Sequence, residues 1–205
     1  MPRAKSSSRT ELVDNALKTF WTTGYHVVSM GDLVRETGVS RGGIYSDFAG
    51  KEALFHACLH RYQDRVVTPV FAQVEAEGAG LEAIRGYLDR LLARFEANQG
   101  FGIGCLVLNT LAQIAPEDQQ TRALLDQHIT RLATGFRNAL TNEAATAGGL
   151  DENELQALTE FTLISIHGLW SFSRTTADVT LLRQYCEIFL DLLQTRLHSP
   201  QAQAR

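Results

Sequence analysis

Apolar residues recur every three or four positions along most of this chain, which is the period of amphipathic α-helices. The first such face is formed by Leu12, Val13, Ala16, Leu17, Phe20 and Trp21. The same period returns after Lys51, after Leu81, after Cys105 and in the segment that ends near Leu140. No segment alternates convincingly with the period of two that is typical of strands. The pattern therefore predicts an all-α fold of about nine helices.

Two short helices joined by a tight turn are predicted between Ser29 and Glu52. Ser29 is a plausible N-cap, and Asp32 three positions later completes a capping box. Gly38 is free to adopt the left-handed conformation at the turn, and Ser40 is placed to cap the next helix. This is the layout of a helix-turn-helix, whose second helix lies in the major groove of DNA.

The last two predicted helices are more apolar than one-sided burial requires. The eighth, roughly residues 154–175, is apolar almost all round, and the ninth begins after Asp178. A helix with apolar residues on all sides needs a second packing partner. We therefore expect a homodimer that forms through the eighth and ninth helices.

Charge and cysteine usage narrow the class of protein. Residues 1–65 carry nine Lys/Arg and seven Asp/Glu, a net charge of +2, within a chain whose total is −4. A basic end on an acidic body fits DNA contact at that end. The three cysteines are widely spaced and form no CxxC pair, as expected for reduced thiols in a cytoplasm. No signal-peptide core and no apolar run of membrane-spanning length is visible, so we expect a cytoplasmic protein.

About 45 N-terminal residues resemble the DNA-binding domain of TetR-family repressors, which are bacterial regulators. The resemblance rests on motifs in a fixed order: Phe20 and Gly24-Tyr25, Ser29-Met30, Gly38-Val39-Ser40, Gly43-Ile44-Tyr45 with Phe48, and Lys51-Glu52. It implies a three-helix DNA-binding domain over residues 1–52 and a larger helical ligand-binding and dimerisation domain over residues 53–205. It also implies a repressor that binds double-stranded palindromic operator DNA as a dimer and is released by a small-molecule inducer.

The recognition helix has unusually little side-chain bulk. Gly42 and Gly43 would let its backbone approach the groove floor, at a cost of about 1 kcal/mol per glycine relative to alanine. Arg41 is the candidate for a bidentate guanine contact, worth about 1–3 kcal/mol of discrimination. Ile44 and Phe48 are expected to point inward.

Phosphate contacts, which position a protein without reading sequence, are expected from the remaining polar residues of this region. With the recognition helix they complete the predicted DNA-binding set: Ser29, Ser40, Arg41, Gly42, Gly43, Tyr45, Ser46 and Lys51. Arg9 and Lys5 could follow the backbone from the N-terminal arm, and Asp47 either points aside or pairs with a base such as Arg41. The alternative is a helix-turn-helix used only for packing, with Arg41 and Tyr45 as ordinary surface residues.

The resemblance further implies a ligand cavity between the helix that begins at Lys51 and the eighth helix. Candidate lining residues are Tyr62, Phe95, Phe101, Cys105, Asn109, His128, His167 and Trp170. Each has an alternative as an ordinary core or surface residue.

Cys105 supports a second hypothesis. It follows a glycine-rich loop and begins a helix, whose N-terminus would lower the pKa of a thiol. The segment GCLVLNT is similar to one in a branch of the family that includes cysteine-based sensors of electrophiles or oxidants. The alternative is a buried, inert thiol.

Catalysis and metal binding find little support in the sequence. His56, His60 and Asp64 lie at i, i+4 and i+8 and could face one metal, but such surface ligands are usually solvated. No phosphate loop, GxSxG elbow or metal motif occurs. We therefore expect no catalytic residue, no metal and no cofactor, with a helical enzyme or a protein-interaction module as the competing classes.

Overall fold

The computed structural model describes residues 8–97, 102–115 and 117–198, and its regular structure within these ranges is helical without any strand. The helices are α1 (Arg9–Thr23), α2 (Met30–Thr37), α3 (Arg41–Asp47), α4 (Lys51–Tyr62), α5 (Thr68–Phe71), α6 (Leu81–Ala97), α7 (Leu106–Leu111), α8 (Gln119–Thr146), α9 (Glu152–Phe172) and α10 (Val179–His198). A π-helical turn, Gln63–Val67, joins α4 to α5 without a break. When α4, the π-helical turn and α5 are counted as one helix, the described ranges contain nine helices. The predicted all-α fold is confirmed.

The local signals of the helix-turn-helix are present as predicted. Ser29 Oγ accepts a hydrogen bond from the Asp32 backbone N–H at 3.1 Å, and Asp32 Oδ2 accepts from the Ser29 backbone N–H at 2.9 Å. Gly38 ends α2 in the left-handed conformation, with φ 70°. Ser40 caps α3 by accepting from the Gly43 N–H at 3.1 Å. These side-chain contacts satisfy N–H groups that a helix start leaves without intrahelical partners.

The structure differs from the sequence prediction at two places, the interruption near Pro69 and the start of α8. The interruption predicted at Pro69 takes the form of the π-helical turn Gln63–Val67 just before it; proline lacks the N–H that a regular helix needs. A helix was predicted to begin with Pro116 and Glu117; Pro116 lies outside the described residues, and Glu117 lies in a turn before the helix. The helix begins at Gln119, because Asp118 Oδ1 accepts from the Thr121 N–H at 3.0 Å and acts as the cap.

The described chain separates into two compact units. Unit 1 comprises the residues up to Val67 together with Leu106–Gln127, and unit 2 comprises Thr68–Cys105 together with the residues from His128 onward. Unit 1 therefore contains α1–α4, α7 and the first turns of α8. The functional boundary expected after residue 52 stays a prediction.

Packing of α1 against α4 forms the centre of unit 1. Phe20 and Phe55 are buried and meet edge to face, with ring centroids 5.0 Å apart. Arg61 on α4 donates two hydrogen bonds to the Asp14 carboxylate on α1, at 2.6 and 2.7 Å. The guanidinium lowers the pKa of Asp14, chiefly through this hydrogen bond. The two helices are thus tied by apolar contact and by a bidentate ion pair.

Unit 2 has an aromatic core. The rings of Phe71, Tyr87 and Phe136 are all fully or almost fully buried and pack edge to face, with centroids 5.2–5.8 Å apart. Trp170 Nε1 donates to Tyr87 Oη at 3.2 Å, so the indole N–H is satisfied inside the core. This cluster connects α5, α6, α8 and α9.

Candidate DNA-binding surface and sensing core

Helix α3 is held to unit 1 by one face and leaves the other open. Ile44 and Phe48 are buried, as predicted. On the opposite side Arg41, Gly42 and Ser46 are exposed, and Tyr45 keeps 51% of its surface exposed. An exposed arginine can contact a base edge, and exposed Tyr and Ser side chains can contact phosphates, so this face has groups suited to DNA contact.

The two glycines of α3 differ in their surroundings. A Cβ at Gly42 would meet no other atom within 4 Å, whereas a Cβ at Gly43 would lie 2.8 Å from Val39 Cγ1. Gly43 is therefore required by packing inside the protein. No packing contact explains Gly42, so its lack of bulk matters only for something that approaches from outside.

The capping hydroxyls are only partly available for phosphate. Ser29 Oγ donates its proton to Asp32 Oδ2 at 2.7 Å. Hydrogen bonds from the Ser29 side chain and backbone, followed by the one from Arg35, lower the pKa of Asp32 to about 2. A hydroxyl carries one proton, so Ser29 acts as a cap in this arrangement, while the Ser40 proton remains usable for a phosphate oxygen.

Two cations of the surface lie over aromatic rings. Lys51 Nζ is 4.7 Å from the centre of the Tyr25 ring, and the Arg9 guanidinium is 4.8 Å from the Phe48 ring. Burial lowers the pKa of Lys51. Each ring restricts where its cation can point. Sequence reasoning had not assigned this role to Tyr25, although Gly24-Tyr25 was one of its motifs.

Asp47 is exposed, and among the described residues no ion pair joins it to Arg41. The alternative in which Arg41 neutralises Asp47 is not supported by this arrangement. Arg41 is thus left pointing outward without a carboxylate partner from Asp47.

The predicted ligand-contacting residues do not all fall in one unit. Tyr62 is buried in unit 1, where Trp21 packs edge-on against it with centroids 4.9 Å apart. Asn109 is half-buried on α7, also in unit 1. Phe101, like Lys5, lies outside the described residues. The other members of the set are in unit 2: Phe95, Cys105, His128, His167 and Trp170.

Within unit 2 two pairs of these residues are brought together. Phe95 and Trp170 pack edge to face, with ring centroids 5.6 Å apart. Cys105 Sγ lies 3.8 Å from His128 Nε2. Burial, aided by His167 and Arg131, lowers the pKa of His128 to about 4, so this imidazole is neutral at pH 7 and has a ring nitrogen that can accept a hydrogen bond.

His167 adds an unsatisfied polar atom. Its Nε2 is buried and has no hydrogen-bond partner, and the same holds for Thr162 Oγ1 on the same helix. Burial lowers the pKa of His167. Buried polar groups are nearly always hydrogen-bonded, so this helix carries two atoms that a bound molecule could satisfy.

Helices α9 and α10, which are the eighth and ninth helices of the sequence prediction, share an exposed apolar face. Its members include Phe161, Ile164, Phe172, Leu181, Tyr185, Ile188 and Leu192, with Ile164 at 69% and Ile188 at 62% exposed. An apolar groove of about 340 Å³ lies here, lined by Gly168, Leu169, Phe172, Leu181, Leu182 and Tyr185. Such a surface on a single chain indicates a protein–protein contact.

One of the two candidate metal-binding histidines on α4 has a hydrogen-bond partner outside the proposed cluster. His56 Nε2 lies 2.9 Å from Thr121 Oγ1. In the described ranges no three His, Cys, Asp or Glu side chains are grouped so as to hold a metal ion. Over the same residues, none of the helices combines the length and apolarity needed to cross a bilayer.

The chain is similar in sequence to known bacterial regulatory proteins. The family model "Bacterial regulatory proteins, tetR family" matches residues 12–58. The chain is 27% identical over 182 residues to the HTH-type transcriptional repressor ComR of Escherichia coli K12, covering 89% of this chain and 87% of ComR.

Two solved structures share the fold over nearly the whole chain. A cysteine mutant of the TetR-family regulator CifR, complexed with 26-base-pair operator DNA, has a TM-score of 0.74 at 22% identity and covers 97% of this chain and 99% of its own. The reduced form of NemR from E. coli has a TM-score of 0.74 at 17% identity and covers 95% of this chain and all of its own.

These matches agree with each other and with the geometry. The matched residues 12–58 contain most of α1, all of α2 and α3, and the first turns of α4, the elements that carry the exposed recognition face. Residues 12–58 match the TetR family of bacterial regulatory proteins, and the chain as a whole shares the fold of TetR-family regulators.

Proposed function

We propose that this protein is a ligand-responsive transcriptional repressor that binds a palindromic operator as a homodimer and is released by a small-molecule inducer. The observation that carries the proposal is the open face of α3, where Arg41, Gly42 and Tyr45 are exposed while Ile44 and Phe48 hold the helix in place. ComR is named a transcriptional repressor, and the CifR mutant was solved on operator DNA. Both support the same function here.

Dimerisation is expected because the recognition helix α3 is short. One seven-residue helix offers few base contacts, and paired half-sites about one helical turn or more apart are the usual remedy. The exposed apolar face of α9 and α10 supplies a surface for a second copy. We therefore place the two-fold axis of the dimer at these helices.

Release by an inducer requires differential affinity. The dimer has one state with its recognition helices set to the groove spacing and one with them splayed, and the inducer binds the splayed state more tightly. A coupling of about 1–3 kcal/mol would weaken operator binding roughly 5- to 150-fold. Phe95, Cys105, His128, His167 and Trp170 line the proposed inducer site, and a polar ligand atom at His167 Nε2 would satisfy its missing hydrogen bond.

Reading and sensing are divided along the chain in this proposal. Residues 1–52 read DNA, through Ser40, Arg41, Tyr45, Ser46 and Lys51 at phosphates and bases. Residues 53–205 bind the ligand and dimerise. We assign no catalytic activity to the protein, and we place it in the cytoplasm, where its operator would be.

The test is selection of bound duplexes from a random oligonucleotide pool, followed by gel shift with variants. Arg41→Ala and Tyr45→Ala should abolish retention of the selected duplex while circular dichroism stays helical. Arg122→Ala is the matched control and should bind normally, because Arg122 is an exposed arginine of α8 that forms an ion pair with Asp126 of its own helix. Equal retention by all variants would refute the assignment of these residues. Retention without salt dependence would favour a protein-interaction module over a DNA-binding one.

A second function, sensing of electrophiles through Cys105, is favoured by the contact between Cys105 Sγ and His128 Nε2. The imidazole orients the thiol, which adds across the carbon–carbon double bond of an α,β-unsaturated carbonyl: the sulfur bonds to the β-carbon and the thiol proton is transferred to the α-carbon. Treatment with N-ethylmaleimide should then release the selected duplex from the wild type and not from Cys105→Ser. Release from both variants would exclude Cys105 as the sensor.

A further inference from the structure

Lys51, the first residue of α4, lies over the ring of Tyr25, which belongs to the turn between α1 and α2. The Lys51 Nζ is 4.7 Å from the centre of this ring. Both side chains are half-buried, and burial lowers the pKa of Lys51. An ammonium that has lost part of its water is attracted to an aromatic face more strongly than an exposed one. The ring therefore restricts where the end of the lysine side chain can lie.

The Tyr25 ring is itself held in place by two fully buried phenylalanines. It packs against Phe55, with ring centroids 4.4 Å apart, and its centroid lies 6.0 Å from that of Phe20. Phe55 comes four residues after Lys51, so the two side chains lie one turn apart on the same side of α4. The ring thus connects the lysine to the core of unit 1.

The ring holds the Lys51 charge without neutralising it. Within the part of the chain that the structure describes, no carboxylate forms an ion pair with Lys51. The Arg61 guanidinium of the same unit is instead bound by the Asp14 carboxylate, at 2.6 Å. A cation paired in this way must give up its partner before it can bind a phosphate, whereas an ammonium on a ring keeps N–H donors for phosphate oxygens. Lys51 is therefore both positioned and available.

Lys51 also lies beside the open face of α3. A Cβ built at Gly50, the residue before Lys51, would lie 3.8 Å from Cε1 of the exposed Tyr45 ring. Gly50 is the N-cap of α4 and provides no side chain to cap it. The first N–H groups of a helix lie outside its own hydrogen-bond ladder and favour a phosphate at this end. The ammonium is thus next to the recognition face, at a helix end that attracts phosphate.

We infer that Tyr25 is a positioning residue for DNA binding, and that its ring holds the Lys51 ammonium at the place where an operator phosphate binds. The inference rests on the proposed DNA-binding function and adds a residue that sets its affinity without touching DNA. Tyr25 acts through Lys51. A lysine that moves freely loses rotamer freedom when it binds a phosphate, and the ring removes part of that cost in advance.

Fluorescence anisotropy with the selected duplex measures the effect. Tyr25→Leu keeps an apolar contact with Phe55 but removes the aromatic face. It should raise Kd about 2- to 12-fold for each protomer of the bound dimer, which is the cost of ordering one long side chain. Tyr25→Phe keeps the ring and should bind like the wild type. Trp21→Leu is the matched control and should also bind normally, because Trp21 is a half-buried ring that packs on Tyr62 at the other end of α4.

A double-mutant cycle distinguishes positioning of Lys51 from a general loss of structure. Lys51→Ala should weaken binding and lower the slope of log Kd against log salt by about one for each protomer, since one phosphate contact is lost. In the Lys51→Ala background, Tyr25→Leu should change Kd by less than about twofold. A general structural role of the ring would instead weaken binding by the same factor in both backgrounds.

Methylation of the lysines reports the contact directly, because the chain contains only three of them, Lys5, Lys18 and Lys51. Reductive methylation with isotope-labelled formaldehyde keeps their charge and gives each amine an NMR signal, and the Lys51 signal is assigned by its loss in Lys51→Ala. In the wild type the Tyr25 ring current should shift this signal upfield from that of Lys18, which lies exposed on α1. An unshifted Lys51 signal would overturn the inference, and this measurement does not require that Tyr25→Leu folds.

The outcomes of the binding assays separate the two claims. Failure of the wild type to bind any selected duplex would overturn the proposed function and the inference with it. If the wild type binds, three results would overturn the inference alone: equal Kd for Tyr25→Leu and the wild type, equal weakening by Tyr25→Leu with and without Lys51, or a Tyr25→Phe variant that binds as weakly as Tyr25→Leu.

Discussion

Alanine should stabilise the protein at Gly42 but bring no gain, or a loss, at Gly43, although the two residues are neighbours. A Cβ at Gly42 meets nothing within 4 Å, so Gly42→Ala gains the full difference in helix propensity, about 1 kcal/mol. A Cβ at Gly43 would lie 2.8 Å from Val39 Cγ1 and 3.4 Å from Ser40 Oγ. The resulting overpacking costs about 1–3 kcal/mol, which exceeds or cancels the propensity gain.

The effects on operator binding should rank differently. The methyl group that Gly42→Ala introduces would be exposed on the open face of α3, where it would meet the DNA groove rather than the protein. A methyl group that prevents close approach should cost about 1–3 kcal/mol of binding, which is roughly 5- to 150-fold in Kd. Gly42→Ala is therefore expected to be the more stable protein and the weaker repressor.

Urea unfolding followed by circular dichroism measures the first quantity, and fluorescence anisotropy with the selected duplex measures the second. The reasoning is refuted if Gly42→Ala binds as tightly as the wild type, because the bare backbone would then have no role at DNA. It is also refuted if Gly43→Ala unfolds at higher urea than Gly42→Ala, since the contact with Val39 would then be harmless.

Three further predictions concern the dimer, the core and pH. Ile188→Asp places a charge on the exposed face of α10, where the side chain is 62% exposed, and should yield monomers in sedimentation analysis with helical content retained; a persistent dimer would exclude this face. Phe20→Ala removes a buried ring that packs edge to face on Phe55 and should lower the free energy of unfolding by about 3–5 kcal/mol in urea; a loss below about 1 kcal/mol would mean that unit 1 does not depend on this contact. Burial, then His167 and Arg131, lower the pKa of His128 from 6.5 to about 4. Between these two pH values the unfolded chain therefore binds more protons than the folded protein. The free energy of unfolding should fall as the pH falls, by about 2 kcal/mol from pH 7 to pH 5. His128→Gln should flatten this slope in thermal melts, and an unchanged slope would place the titrating group elsewhere.

The elements that were predicted from sequence are those specified by neighbours in the chain. The capping box of Ser29 and Asp32 spans three residues, and the left-handed Gly38 and the cap at Ser40 are equally local. Periodicity identified the buried faces because a helix must bury its apolar stripe. The start of α8 was misplaced because Pro and Glu fit a first turn as well as Asp118 fits a cap.

Contacts between distant residues were beyond that reasoning. His56 and Thr121 are 65 positions apart, and Cys105 and His128 are 23 apart. Nothing in the period of α7 distinguishes a helix that packs with α1–α4 from one that packs with α6. Tyr25 likewise appeared as a motif residue, and only the fold shows that its ring lies beneath Lys51. The distribution of candidate ligand residues over two units has the same cause.

The central claim is that two copies of an exposed, glycine-bearing recognition helix seat on one duplex. Sedimentation of the wild type with the selected palindromic duplex at low ionic strength measures this directly. The expected result is one complex of two protomers per duplex, which dissociates steeply as salt is raised. Monomeric protein that leaves every duplex unbound would contradict it.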